Sequence, residues 1–67
     1  MDQVEALIQR LNDSSPERRR AACEALGQIG DPRAIEPLVL RAMTENDQQV
    51  LDAVNAALKQ LKPEQAA

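Results

Sequence analysis

The stretch Arg19-Arg20-Ala21-Ala22-Cys23-Glu24-Ala25-Leu26-Gly27-Gln28-Ile29-Gly30-Asp31-Pro32-Arg33-Ala34-Ile35 decides the fold. Within it Ala22, Ala25, Leu26 and Ile29 recur at the spacing of one helix face. Just upstream, Ser15 offers an N-cap oxygen, and Pro16 sits at the first helical position, where its missing N–H costs nothing. Glu17 then puts negative charge in the first turn, where the helix dipole favours it. Gly30 can take the left-handed conformation that ends the helix. Asp31 is a good N-cap and Pro32 restarts the chain at once, so a second helix follows with hardly any loop.

Working outward, the same periodicity appears on both sides. Val4, Leu7, Ile8 and Leu11 form one stripe of a first helix over about Asp2–Leu11, with Gln3, Glu5, Gln9 and Arg10 facing water. The third helix should run to about Glu45, with Ile35, Leu38, Val39, Ala42 and Met43 inward. Pro37 lies one turn into it and is expected to bend that turn. A fourth helix starts near Asn46 or Asp47 and continues to Leu61 on a stripe of Val50, Val54, Ala57, Leu58 and Leu61. Lys59 and Lys62 suit its C-terminal end, and Pro63 stops it. One domain over residues 1–62 and a frayed tail over 63–67 are expected. No strand pattern is present, so the class is all-α.

The four helices repeat. Under a shift of 32, Ala21, Ala25, Leu26, Gln28 and Ile29 fall on Ala53, Ala57, Leu58, Gln60 and Leu61. Under a shift of 31, Val4, Glu5, Leu7, Ile8 and Arg10 fall on Ile35, Glu36, Leu38, Val39 and Arg41. Unrelated amphipathic helices would share apolar spacing, but not glutamate, glutamine and arginine positions as well. A repeat of helix pairs at this period means a solenoid. Small residues on the second helix let a neighbour approach closely, so each Ala-rich helix is expected to pack between its neighbours.

The quoted stretch resembles the short HEAT-like repeat, the type also found in bilin lyase subunits. The resemblance rests on an arginine near the helix start, an Ala-rich centre, Ala-Leu-Gly, and Gly-Asp-Pro leading onward. It implies a short α-solenoid of four antiparallel helices, with one full repeat over about residues 14–45 flanked by two half repeats. Three positions depart from the pattern: Arg18 replaces an apolar residue, Leu51 replaces the family's arginine opposite Arg19, and Ala42 is smaller than the usual leucine.

Composition narrows the chemistry. The chain has 67 residues, no His and no aromatic, so the usual general base, the commonest zinc ligand and any base-stacking platform are missing. A net charge of −3 argues against general attraction to nucleic acid or anionic membranes. One cysteine cannot make an internal disulfide, and the acidic start lacks the pattern of a signal peptide, so a cytoplasmic setting is expected. No catalytic residue, cofactor, metal or small-molecule substrate is expected; Asp13, Asp31, Asp47 and Asp52 have no metal-loop spacing.

The function expected is a non-enzymatic interaction or scaffold module whose partner is another protein or a second copy. Partner contact is expected at Arg19, Arg20, Leu40 and Leu51. Arg18-Arg19-Arg20 reads as an anion or acidic-peptide site, or as Arg19 bonding carboxylates along the solenoid with Arg18 and Arg20 solvated, as the resemblance implies. Leu40 and Leu51 lie outside the core stripes, and a docking or self-associating surface is expected near the fourth helix. Cys23, aligned with Asn55, is expected at an edge as a small packing residue, its pKa drawn down slightly by Arg19 and Arg20. The alternatives are a ligand-handling protein related to bilin lyase subunits, and an excised or designed fragment of a longer array.

Overall fold

A computed structural model of the chain describes residues 2–61, and over them the protein is helical throughout, with no strand. The order is α1 (Gln3–Arg10), α2 (Pro16–Ile29), a 3₁₀ turn (Pro32–Ala34), α3 (Ile35–Thr44) and α4 (Gln48–Leu61). α2 is central, packing against α1 on one side and α4 on the other, and α3 lies against α4. The chain is a short α-solenoid, as the repeat requires.

Each boundary has a local cause. Asp2 caps α1 by accepting the Glu5 N–H at 2.9 Å, and Ser15 caps α2 by accepting the Arg18 N–H at 3.4 Å. Gly30 closes α2 at φ 76°, where a Cβ would be strained, and donates to the Leu26 carbonyl at 3.1 Å. Asp47 caps α4 through one oxygen that accepts the N–H of Gln49 at 2.9 Å and of Val50 at 3.2 Å.

The third helix departs from expectation at its start. Pro32–Ala34 form a 3₁₀ turn capped by Asp31, which accepts the Arg33 N–H at 2.9 Å, and the α-helix takes over at Ile35. Pro37 is therefore the third residue of α3. Its missing N–H falls among those that have no intrahelical acceptor anyway, so no ladder bond is lost. Arg33 ties this corner to α1, 3.0 Å from both Asp31 and Asp2. It holds both carboxyls below the usual range, together with the backbone N–H groups that each accepts; at Asp2 the Glu5 N–H is the larger cause. The fourth helix begins one to two residues later than expected, because Asp47 serves as its cap. Lys62, Pro63 and the tail expected over 63–67 lie outside the described residues.

The core is aliphatic. Leu26, Leu38, Val50, Val54 and Cys23 are its largest fully buried side chains, with Ala22, Ala34 and Ala57 filling the spaces between helices. Burying each Leu is worth about 1.5–3 kcal/mol, which makes these few residues most of the driving force in so short a chain. α2 and α4 approach closely at Gly27, where a Cβ would lie 2.9 Å from the Ala57 Cα and also collide with Gln60. Cys23 corrects the edge placement: it is fully buried on α2, the helix packed between α1 and α4, whereas the equivalent Asn55 on α4 is exposed. Burial pushes its thiol up to about 11, opposite to the expected direction, and the carboxylate of Glu45 adds to this.

Candidate interaction surface

The arginine run divides by position. Arg19 folds inward and grips Glu45 with both arms: Nε donates to Oε1 at 2.9 Å and Nη2 to Oε2 at 2.9 Å. Its remaining arm donates to the carbonyls of Asp13 at 2.8 Å and Ser14 at 3.2 Å. The Glu45 side chain has 0% exposure and that of Arg19 only 13%. Glu45 also accepts the Asp47 N–H at 3.0 Å. Arg41 Nε stands 3.1 Å from Oε1, an ion contact whose angle does not make a hydrogen bond, so that nitrogen has no acceptor. Arg41 instead donates to the Leu11 carbonyl at 2.9 Å and to Thr44 Oγ1 at 3.0 Å. Burial alone would raise the Glu45 carboxyl, but the Arg19 bonds, the Asp47 amide and the two nearby cations hold it below the ordinary value. The cluster stitches the α1–α2 loop to the α3–α4 loop, and it occupies the Arg19 guanidinium that was a candidate for partner contact.

Arg20, one residue on, stays at the surface, 3.9 Å from Glu24 and 3.4 Å from the Gln49 side chain. Leu40 is 59% exposed, and Val39 and Met43, both expected to point inward, are exposed as well, Met43 to 76%. Leu40 and Met43 border a groove of about 280 Å³ between α1 and α3, whose walls include Ile8, Leu11 and Pro37. Leu51 is half-buried on α4, and Leu58 and Leu61 pack partly against the core. Val50 and Val54 are in the core itself. The docking surface expected near the fourth helix thus finds no fully exposed large apolar side chain among the described residues of α4, which packs against both α2 and α3. The exposed apolar surface moves to α3.

The acidic residues are structural where the geometry speaks. Asp31 and Asp47 are caps, and Asp52 accepts from the Gln48 side chain at 2.9 Å. Among the described residues no group of three or more potential ligands could hold a metal ion, and no helix is long and apolar enough to cross a membrane.

Helix pairs repeated at this spacing, an arginine holding adjacent units together, and the Gly-Asp-Pro corner all agree with a family model for HEAT repeats, which matches residues 1–67. The chain belongs to the HEAT repeat family. No curated protein matches it at a significant level. HEAT repeats are in general protein-interaction and scaffold modules and are typically non-enzymatic.

Sequence reasoning passed over Glu45, the centre of this HEAT unit's buried network. A signal was available: under the shift of 32, Glu45 falls on Asp13, an acid at the same point of both repeats. The groove walls Ile8 and Pro37 were assigned only to a stripe and to a helix bend, because neither residue carries a mark of exposure in the sequence.

Proposed function

We propose that this HEAT unit is a non-enzymatic interaction module that presents the outer face of α3 to a partner, with Leu40 and Met43 as its apolar centre. One observation carries the reading. Under the shift of 31, Leu40 and Met43 fall on Gln9 of α1 and on Asn12 in the turn just after it, so the positions that are polar in the first repeat are apolar in the second. Nothing in the core uses these two side chains, which remain 59% and 76% exposed. Large apolar residues collected beside a groove mark a contact surface more strongly than scattered ones do. Arg20 belongs to the same proposal as a solvent-facing contact, and Leu51 as a second apolar contact at the α4 end. Arg19 acts through the internal clasp. A cytoplasmic location is part of the proposal and is supported by the single cysteine being a buried thiol.

The partner is another protein or a second copy, and one experiment separates them. Molar mass is measured by light scattering with refractive-index detection across a hundredfold dilution, since the chain has no aromatic absorbance. A dimer that disappears in the Leu40→Asp, Met43→Asp variant, with helicity retained, assigns the face to self-association. A monomer whose cross-linking to a co-purified protein depends on the same two residues assigns it to that protein. Association unchanged in the double variant refutes the assignment of this face, and lost helicity would place these side chains in the core.

A further inference from the structure

The groove between α1 and α3 has a polar corner as well as an apolar wall. The corner is made by Arg41, Asn12 and Thr44, and no carboxylate lines the groove among the described residues. Arg41 Nη1 donates to Asn12 Oδ1 at 3.3 Å, and Nη2 donates to Thr44 Oγ1 at 3.0 Å. Beneath them Arg41 shares the carboxylate of Glu45 with Arg19, so two cations meet one anion and a positive surplus remains. In a chain of net charge −3, this corner favours an anion from outside the groove.

α3 itself carries such an anion. Glu36 is exposed and pairs with no cation among the described residues. It stands one turn before Leu40, and Thr44 stands one turn after. Glu36, Leu40, Met43 and Thr44 thus follow the i, i+4, i+7, i+8 spacing of one helix face, with Pro37 beside them as a groove wall.

That face complements itself when two copies of α3 lie antiparallel with Leu40 on the two-fold axis. Leu40 then meets Leu40 of the second copy, and Met43 shares a layer with Pro37 of the second copy. Glu36 falls level with Thr44 of the second copy, within reach of the Arg41 guanidinium bonded to it. The symmetry makes each of the off-axis contacts twice. We propose that the chain forms a two-fold dimer through antiparallel α3 helices, in which Glu36 of each copy fills the cationic corner of the other. The proposal rests on the α3 face being the contact surface, and it names the occupant of that face.

Charge variants test the pairing without touching the apolar centre. Glu36→Lys sets a cation against Arg41 of the second copy, and Thr44→Glu sets an anion against Glu36. Each variant alone should raise the dimer dissociation constant by about tenfold or more, read by light scattering across a dilution series. Mixed one to one, the two should dimerise again: the introduced lysine faces the introduced glutamate at one end, and the native pair remains at the other. Circular dichroism checks both folds, and Asn12→Glu, at the same corner, serves if Thr44→Glu weakens the helix end. A dimer lost in Leu40→Asp, Met43→Asp but unchanged in both charge variants overturns the antiparallel pairing and leaves the α3 face standing. Wild-type protein that stays monomeric throughout also overturns the proposal and leaves that face to another protein. A dimer unchanged in every variant overturns both.

Discussion

Replacing Glu45 by Gln keeps the volume of the side chain and removes its charge. The wild-type carboxylate accepts two bonds from Arg19 and one from the Asp47 N–H, all at 2.9–3.0 Å, and lies beside Arg41. The amide can keep one acceptor oxygen, but its NH₂ must face a guanidinium, donor against donor. Removing one partner of a buried pair costs about 3–5 kcal/mol. The lower end applies because both arginines keep carbonyl partners. A chain of this length has a total stability of about 3–10 kcal/mol, so a loss near 3 takes a large share of it. The expected fall in Tm is about 12–24 °C by circular dichroism, from about 4–8 °C per kcal/mol for a small domain. A second signature comes from pH. The folded Glu45 carboxyl lies below its ordinary value of 4.5, so the unfolded chain takes up the proton first and the stabilisation is lost as pH falls through the folded pKa. The gap between wild type and variant should therefore be full above about pH 5.5 and narrow steadily below 4.5. A Tm within about 3 °C of wild type at pH 7 would show that the cluster behaves as a solvated surface pair, and the reasoning would be wrong.

Two further outcomes follow from the core. Gly27→Ala places a Cβ 2.9 Å from the Ala57 backbone; overpacking of about 1–3 kcal/mol should exceed a helix gain of about 0.5–1, giving a net loss in urea denaturation. Lys59→Ala, at the equivalent exposed position, should change stability by less than about 0.5 kcal/mol. Cys23, buried and with its thiol pushed up to about 11, should react with a thiol reagent at pH 8 only as fast as the protein opens, and at once in denaturant. Prompt native-state labelling would contradict its burial.

The fold was largely legible because its punctuation is local. Ser15, Pro16, Gly30 and Asp31 each act within a few residues, and each does what its chemistry implies. The 3₁₀ turn at Pro32–Ala34 was not legible, since a cap followed by proline opens either kind of helix and Pro37 decides between them only through the ladder bond it lacks. Cys23 was misplaced because a repeat alignment compares positions, not neighbours: an edge in the last repeat is an interior in the one before it. Leu40 could be read as exposed because it breaks a stripe. Glu45 could not be read as buried from its own segment, because what buries it is Arg19, 26 residues away in sequence.

The close approach at Gly27 has a consequence for shape. The Ala-rich helices α2 and α4 nearly touch there, while α1 and α3 stand apart across the groove that holds Leu40 and Met43. Packing is thus tight between the Ala-rich helices and open between the other two. A stack of such units would favour bending toward the small-residue side, and the room left for a ligand along the opposite rim would then depend on the missing methyl group at Gly27.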